Sequence, residues 1–246
     1  MLLHGLGKLT LLDYPGYLAC VAFTGACNFR CPFCHNAALV LSPEACEHIT
    51  EEEFFQFLES RKSRLEGVCV SGGEPTLQPD LPEFLAKIKS KGFLVKLDTN
   101  GYRPDVLKNI LQQNLVDMIA MDIKNQKATY ALTAGLLEES FDITKIEESI
   151  RLLLTSDIPH EFRTTVAKEL HDEDAIRSIG RWLSELSLSC GKGPVCSSSY
   201  YLQQFKDSDS LLCGPDTFFT AHHPETMQSF VSVLQPYLPN TKLRGQ

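Results

Sequence analysis

Short apolar runs alternate along the chain with longer segments in which apolar residues recur every three or four positions. A short apolar run bounded by Gly, Pro, Asn or Asp is typical of a buried strand. The runs predict strands at residues 18–24, 67–71, 93–97, 116–121, 160–166 and 200–205. The helical spacing predicts one helix that begins at residue 50 and further helices at residues 81–91, 143–155, 172–186 and 224–238. A short extended end is predicted at 241–245.

The boundaries of two helices are marked by particular residues. Thr50 with Glu53 three positions later has the form of a capping box, which begins a helix. Ile143, Ile146 and Ile150 recur at helical spacing, so one face of that helix is expected in the core.

Counted along the chain, the alternation gives about six strand-helix units, which predicts a parallel sheet with right-handed crossovers. We therefore expect an α/β fold, with the sheet forming a partial (β/α)6 barrel. The 246 residues fit one domain, 1–246, because barrels of this size often stay undivided. Its core is expected at about 18–205, followed by a C-terminal helix and an extended tail within 206–246.

Composition and charge exclude several functional classes. A hydrophobic content of 43% and a charged content of 22% are ordinary for a soluble globular protein. The net charge of −8 argues against a nucleic-acid-binding protein, which usually has a basic face. We predict no signal peptide and no membrane span. The nine cysteines are then best explained as reduced thiols of a cytoplasmic protein.

Three of these cysteines lie close together in a loop that should follow the first predicted strand. Cys27, Cys31 and Cys34 have the spacing Cys-x3-Cys-x2-Cys, and Pro32 disfavours a continuous helix there. Thiolates converging in a loop are the ligands of iron-sulfur clusters. In a 4Fe-4S cluster, three cysteine ligands would leave one iron open to substrate, as in catalytic metal sites.

Two other interpretations of the cysteine loop stay open at this point. A structural zinc site would need a fourth ligand, for which Cys20, His35 and Cys46 are available. Three unrelated buried thiols are the other possibility, although a loop rich in Pro, Gly and Asn fits a core poorly. A further pair, Cys190 and Cys196, flanks a Gly-Lys-Gly-Pro loop and is expected to be structural.

In detail the loop resembles the signature of the radical S-adenosylmethionine (radical SAM) superfamily. Phe33 is the aromatic residue before the last Cys, and Cys34-His-Asn36 is similar to the ending found in activating enzymes of glycyl-radical enzymes. The resemblance covers nearly the whole chain and implies a barrel of the radical SAM type. It implies that Cys27, Cys31 and Cys34 hold a catalytic 4Fe-4S cluster, with Phe33 beside the cofactor.

The resemblance also implies a reaction. Such an activase reductively cleaves S-adenosylmethionine at its cluster and removes a hydrogen atom from a glycine Cα, which installs a glycyl radical on a partner enzyme. Leu202-Gln-Gln-Phe205 is similar to a stretch of the activases of anaerobic ribonucleoside-triphosphate reductase, the partner that we expect. Flavodoxin or ferredoxin is the implied electron donor.

Other functions compete with this one. Pyruvate formate-lyase or another glycyl-radical enzyme is an alternative partner, and a small molecule is an alternative substrate within the superfamily. A passive iron-sulfur electron carrier is the rival from another class.

Gly72-Gly73-Glu74-Pro75 follows the second predicted strand directly. Two glycines at a strand end suit a plain turn, and they also suit a backbone that approaches a ligand closely. The stretch resembles the superfamily's motif for the methionine end of S-adenosylmethionine. By that match Gly72 and Gly73 lend backbone groups, and Glu74 accepts a charge-assisted hydrogen bond from the ammonium.

Polar residues also follow the next strands. Asp98-Thr99-Asn-Gly is similar to a stretch of the pyruvate formate-lyase activases, which implies that Asp98 and Thr99 belong to the cofactor pocket. Asp122 and Lys124 share a face because they are two residues apart on a strand. A solvated salt bridge would explain them, but the resemblance implies contact with S-adenosylmethionine.

The resemblance adds three further hypotheses. Arg163, in an Arg-Thr-Thr-Val stretch similar to the family's, is expected to clamp a carboxylate. Asp98, Thr99 and Asp122 match positions that surround a monovalent cation in relatives, so a bound cation is a further hypothesis. Asp13, in a turn before the first predicted strand, is a candidate for contact with the partner.

Overall fold

A computed structural model of the chain describes residues 1–192, 199–206, 211–213 and 218–245. Cys196, which we expected to be structural, lies outside these residues. The chain divides into two compact units. The first unit comprises Met1–Asn28, Asn36–Thr99 and Asp105–Ala120, and the second comprises Phe29–His35, Asn100–Pro104 and Met121–Gln246.

The first unit carries four complete strands. They are β1 (Gly5–Thr10), β2 (Ala19–Thr24), β3 (Gly67–Gly72) and β4 (Leu94–Thr99). β2, β3 and β4 pair in parallel, with Thr24 opposite Gly72 and Val70 opposite Leu97. The carboxyl ends of these three strands therefore lie along one edge of the sheet.

The sequence pattern did not predict β1, which pairs antiparallel with β2. All six of its residues are half-buried or exposed, so the strand lacks the apolar run that marks a buried one. Gly5 and Gly7 weaken the pattern further, since glycine contributes no side chain to the sheet. An edge strand of this kind gives little signal in the sequence.

Helices connect the strands of the first unit. They are α1 (Ala37–Leu41), α2 (Glu51–Arg61), α3 (Leu81–Ser90) and α4 (Pro104–Gln112), the last of which begins in the second unit. The predicted capping box opens α2: the Thr50 hydroxyl accepts from the Glu53 amide, and the Glu53 carboxylate accepts from the Thr50 amide. The pattern predicted neither α1 nor α4.

The second unit contains the remaining elements. β5 (Met118–Asp122) ends in it, and β6 (His160–Val166), β7 (Ser199–Gln204) and β8 (Thr241–Arg244) lie within it. Its helices are α5 (Tyr130–Thr133), which was not predicted, α6 (Ile143–Thr155), α7 (Glu173–Ser189) and α8 (Pro224–Leu234). β6, β7 and β8 pair in parallel, so the expected extended end at 241–245 is a sheet strand.

The last strand is fixed to the sheet by a buried ion pair. Both guanidinium ends of Arg244 donate to the Glu161 carboxylate, at 2.8 and 2.9 Å. The Arg244 guanidinium also stacks on the ring of Tyr201, 3.8 Å from its centroid. A bidentate pair of this geometry fixes β8 against β6 and β7.

Strands and helices alternate in each unit, and the strands pair in parallel from β2 to β4 and from β6 to β8. The predicted α/β class with a parallel sheet is confirmed. Parallel sheets need buried strands, and the middle residues of β2, β3 and β4 are almost all inaccessible to solvent. Within the described ranges, no helix is long and apolar enough to cross a membrane.

Candidate functional site

The cysteine loop leaves the carboxyl end of β2 and runs through both units. Cys27 lies in the first unit, whereas Cys31 and Cys34 lie in the second. The predicted loop conformation is confirmed, because residues 25–36 contain no strand and no helix, and the Cys34 amide closes a turn on the Cys31 carbonyl at 3.0 Å. Cys31 is buried and the other two are half-buried, and all three are reduced cysteines outside any disulfide.

Backbone hydrogen bonds fix the start of this loop to the end of β3. The Gly73 amide donates to the Thr24 carbonyl at 2.9 Å, and the Glu74 amide donates to the Ala26 carbonyl at 2.8 Å. Ala26 has a positive φ of 62°, which a residue with a Cβ rarely adopts. The backbone immediately before Cys27 is therefore held in one conformation by the Gly-Gly-Glu motif.

This contact explains why two glycines are needed. A Cβ on Gly72 would lie 2.4 Å from the Thr24 oxygen, and one on Gly73 would lie 1.9 Å from the Ala26 oxygen. Both distances are far below van der Waals contact. The Gly73 amide already holds the cysteine loop. The predicted contact between this backbone and a cofactor would therefore be made by other atoms of the motif.

The far end of the loop returns to the same strand. The side-chain amide of Asn36 donates to the Gly72 carbonyl at 2.8 Å. The Cys-His-Asn ending therefore has a physical use in this chain, since Asn36 anchors the loop two residues after its last cysteine.

Within the second unit, the middle of the loop is held by three other segments. The Arg30 amide donates to the Ala134 carbonyl at 2.8 Å, where a Cβ on Gly135 would meet the Arg30 oxygen at 2.0 Å. The amides of Leu212 and Cys213 donate to the carbonyls of Cys34 and Pro32, at 3.2 and 3.0 Å. Phe33 is buried, with its ring edge-on to Phe219.

The side chains proposed for a zinc site are engaged elsewhere. His35 uses Nε2 to donate to the Lys206 carbonyl at 2.6 Å and stacks on Phe205. The Cys46 thiol lies 3.8 Å from the Ser42 carbonyl, and Cys20 is buried inside β2. The surroundings of these three side chains do not support any of them as a fourth zinc ligand.

Glu74 is the first of two buried carboxylates in the first unit, with an exposed fraction of 1%. Its Oε1 accepts from the hydroxyls of Thr76 and Thr99, at 2.6 and 2.8 Å, and from the Thr76 amide at 3.1 Å. Glu74 and Thr99, which are both predicted pocket residues, are therefore in direct contact.

Asp98 is the second buried carboxylate. Its Oδ2 accepts from the Ser71 hydroxyl at 3.1 Å, and its Oδ1 accepts from the ammonium of Lys96. Lys96 is itself only 1% exposed, and its Nζ lies 4.0 Å from the sulfur of Cys69. Lys96 was not among the predicted site residues, although it shares a face of β4 with Asp98 because the two are two residues apart.

The second unit places one carboxylate between two cations. Asp122 Oδ1 accepts from the Arg163 guanidinium at 2.5 Å, and Oδ2 accepts from the Lys124 ammonium at 2.8 Å. Burial alone would raise the pKa of Asp122, but these two cations hold it well below its ordinary value. Burial would lower the pKa of Lys124, and Asp122 raises it above the ordinary range. The predicted residues of β5 and β6 thus form one ion-pair network.

Lys124 also acts on the cysteine loop. Burial raises the pKa of the Cys31 thiol to about 11, and the nearby Lys124 ammonium opposes that rise. A cation beside a buried thiol favours the thiolate, which is the form that ligates metals. Free thiols and this cation fit the donor chemistry of an iron-sulfur cluster.

In the described part of the chain, no three His, Cys, Asp or Glu side chains are already grouped as a metal site. The ligand set therefore stays a prediction from the sequence.

Lys124 is positioned by a buried histidine that the sequence analysis also missed. His171 donates from Nε2 to the Lys124 carbonyl at 2.8 Å, and Nδ1 accepts from the Ala167 amide at 3.2 Å. Burial lowers the pKa of His171, so the ring stays neutral and keeps this arrangement. A lone histidine between Leu170 and Asp172 carries no motif that would have marked it.

Asp13 lies at the other end of β2 from the cysteine loop. Thr10, the last residue of β1, pairs with Ala19, so residues 11–18 connect the two strands at the amino end of β2. Asp13 is exposed and accepts from the Thr10 hydroxyl at 2.5 Å. Within the first unit it is separated from Thr24 by the length of β2, about 17 Å, which gives its predicted contact with the partner no support.

Comparisons with known proteins agree with the family resemblance seen in the sequence motifs. The sequence signature of the radical SAM superfamily matches residues 21–179, a segment that includes the cysteine loop, the Gly-Gly-Glu motif and Arg163. A protein of Methanocaldococcus jannaschii that is assigned by name to the glycyl-radical enzyme activating enzymes is 33% identical over 211 residues. That match covers 85% of this chain and 82% of the relative.

A second relative and one solved structure extend the comparison. The pyruvate formate-lyase-activating enzyme of Clostridium pasteurianum is 33% identical over 146 residues, which are 57% of this chain and 60% of that enzyme. The crystal structure of a radical SAM methyltransferase from Sphaerobacter thermophilus superposes with a TM-score of 0.68 at 14% identity, over 94% of this chain and 67% of that one. This likeness concerns the fold alone, and it agrees with the predicted partial barrel.

Proposed function

The chain belongs to the radical SAM superfamily, and within it to the glycyl-radical enzyme activating enzymes, and from this premise we propose that it activates anaerobic ribonucleoside-triphosphate reductase. The substrate would be a glycine Cα–H of that enzyme. The observation that carries the proposal is the cysteine loop, Cys27-x3-Cys31-x2-Cys34-His-Asn36, fixed at both ends to the Gly-Gly-Glu motif of β3.

A 4Fe-4S cluster held in this loop would supply the single electron for reductive cleavage of S-adenosylmethionine, the chemistry that abstraction of a glycine hydrogen atom requires. We assign Cys27, Cys31 and Cys34 to the cluster. No side-chain acid or base is needed for hydrogen-atom transfer, so the protein's part is positioning and the exclusion of water.

The charges of the site suit the two ends of the methionine group. Glu74, buried and held by Thr76 and Thr99, is proposed to accept from the ammonium of S-adenosylmethionine. Lys124 and Arg163 are proposed to receive its carboxylate or ribose hydroxyls. Asp98 and Asp122 hold the cationic groups of the pocket in place.

The choice of partner rests on residues in and directly after β7. Leu202-Gln-Gln-Phe205 resembles the reductase-activating branch, and Phe205 packs against His35 of the cysteine loop. The second candidate is pyruvate formate-lyase, which is favoured by the 33% identity to the Clostridium pasteurianum activase over 57% of this chain. We further propose a cytoplasmic location and flavodoxin or ferredoxin as the electron donor.

The two partners are distinguished by an anaerobic assay with the reconstituted, reduced enzyme. It is incubated with S-adenosylmethionine and either anaerobic ribonucleotide reductase or pyruvate formate-lyase, and paramagnetic resonance spectra are recorded. The proposal predicts a glycyl doublet with the reductase and little with the lyase. The reverse pattern would replace the proposed partner, and 5'-deoxyadenosine without a doublet on either protein would favour a small-molecule substrate.

A further inference from the structure

The family suggests a monovalent cation at Asp98, Thr99 and Asp122, and the structure gives a test of whether these residues fit one. A cation site of this kind needs carboxylates that still carry uncompensated negative charge. Both aspartates are instead paired with cationic side chains of their own unit.

Lys96 is the decisive residue. Its side chain is 1% exposed and its ammonium contacts Asp98 Oδ1 directly, on a carboxylate whose other oxygen already accepts from the Ser71 hydroxyl. A buried ammonium is costly unless it is paired, so this contact must be retained in the folded protein. The negative charge of Asp98 is therefore neutralised from within the fold.

The negative charge of Asp122 is compensated even more fully. Each of its two oxygens accepts from a different cation, the Arg163 guanidinium and the Lys124 ammonium. The local charge of this triad is positive by one unit, because two cations share one carboxylate. A further metal cation would be repelled from it.

Coulomb repulsion sets the conflict. A cation bound to Asp98 would lie close to the Lys96 ammonium and would be repelled by it. The carboxylate cannot offset this fully, since it already interacts with Lys96. The residues do not fit a monovalent cation.

We propose that the Lys96 ammonium takes the place of a monovalent cation at Asp98, so that binding of S-adenosylmethionine in this enzyme is independent of potassium and sodium. Lys96 is a positioning residue: it orients Asp98 and supplies the positive charge that an ion would otherwise bring. The inference rests on the proposed assignment of Asp98 to the cofactor pocket.

The test compares the wild-type enzyme with Lys96→Met in potassium chloride and in tetramethylammonium chloride at equal ionic strength. Two quantities are measured: the affinity of the reconstituted enzyme for S-adenosylmethionine, and the thermal midpoint of the same protein without it. For the wild type, we expect the two salts to give affinities within about twofold of each other and the same midpoint. For Lys96→Met, potassium should raise the midpoint and tighten binding about tenfold, because Asp98 is left with an uncompensated charge.

Lys89→Met is the matched control. Lys89 pairs with Asp117 at 2.7 Å in the same unit and is partly exposed, so its loss should create no potassium dependence. A wild-type midpoint or affinity that requires potassium would overturn the proposal, and so would a folded Lys96→Met variant that is indifferent to the salt. The thermal midpoint does not depend on S-adenosylmethionine chemistry. This test can therefore be interpreted even if the proposed function is wrong.

Discussion

The two units hold their buried charges in different ways. In the first unit, the carboxylates of Glu74 and Asp98 are held by three hydroxyls, one backbone amide and one ammonium. In the second unit, which also contains the Glu161–Arg244 pair, the Asp122 carboxylate is shared by two cations, and one of these also acts on the Cys31 thiol. The Glu74 carboxylate is thus suited to a cationic group, whereas the Asp122 network, which has one excess positive charge, is suited to anionic groups such as a thiolate or a carboxylate.

In the proposed assignment, the two ends of a zwitterionic cofactor are bound by side chains that are stabilised separately. Glu74 would supply negative charge and Lys124 and Arg163 positive charge, and the contacts that hold each set lie inside its own unit. Substitutions in the two units should therefore have different signatures.

The largest effect is expected in the second unit at Cys31. Cys31→Ala should abolish the cluster, because two remaining thiolates cannot hold it. The visible absorption of the reconstituted protein and the formation of 5'-deoxyadenosine should both be lost. Cys46→Ala is the control, since Cys46 lies outside the loop and its loss should leave the cluster intact. A stable cluster in Cys31→Ala would disprove the ligand assignment.

The next effect is expected in the first unit at Glu74. Glu74→Gln keeps the hydrogen bonds' geometry but removes the charge, so the cluster spectrum should stay while affinity for S-adenosylmethionine falls by roughly tenfold to a hundredfold. Equilibrium binding to the reconstituted enzyme measures this. Glu83→Gln, on α3, should bind as the wild type does. Unchanged affinity in Glu74→Gln would remove Glu74 from the pocket.

Arg163→Met tests the Asp122 network of the second unit through the pH dependence of protein stability. The pKa of Asp122 is depressed in the folded protein, so its stabilisation is present above its unfolded pKa of about 3.9 and is lost as pH falls. The variant should lose roughly 2 kcal/mol of stability at neutral pH, with a smaller difference from the wild type below about pH 4.

Denaturant titrations at several pH values measure the effect of Arg163→Met. The control is Arg177→Met, which breaks an exposed helical pair with Glu173 and should cost about 0.5 kcal/mol or less. A difference between wild type and Arg163→Met that does not shrink in acid would argue against the Asp122 network.

The smallest effect is expected at Asn36, which fixes the end of the cysteine loop. Asn36→Ala removes one hydrogen bond to the Gly72 carbonyl, which should cost about 1 kcal/mol. The cluster should still form but should be lost faster to a chelator. Gln113→Ala, which removes an exposed hydrogen bond to Asn109, should lose its cluster at the wild-type rate. Equal rates for the two variants would show that Asn36 does not secure the loop.

The sequence predicted those parts of the molecule that have a local pattern. The buried strands β2, β3 and β4 are short apolar runs, and the motifs at their ends identify Glu74 and Asp98 directly. β1 was missed because an edge strand with two glycines buries too little to show a pattern. α4 was missed although Leu107 and Ile110 are buried at helical spacing.

The contacts that position the site were harder to foresee. Lys96 looks like a polar residue in a strand, and only its two-residue spacing from Asp98 hints that both share a face. Gly73 was predicted to lend its backbone to a ligand, and no local pattern indicated that its amide and its missing Cβ also serve the cysteine loop. His171 and Gly135 act through residues far away in sequence, which no local pattern records.

The most direct test of the central claim follows one hydrogen atom. Anaerobic ribonucleotide reductase is prepared with glycine deuterated at Cα and is incubated with the reduced enzyme and S-adenosylmethionine, and the 5'-deoxyadenosine formed is analysed by mass spectrometry. The account predicts deuterium in 5'-deoxyadenosine together with a glycyl signal on the reductase. Undeuterated 5'-deoxyadenosine and no glycyl signal, from an enzyme with an intact cluster, would contradict it.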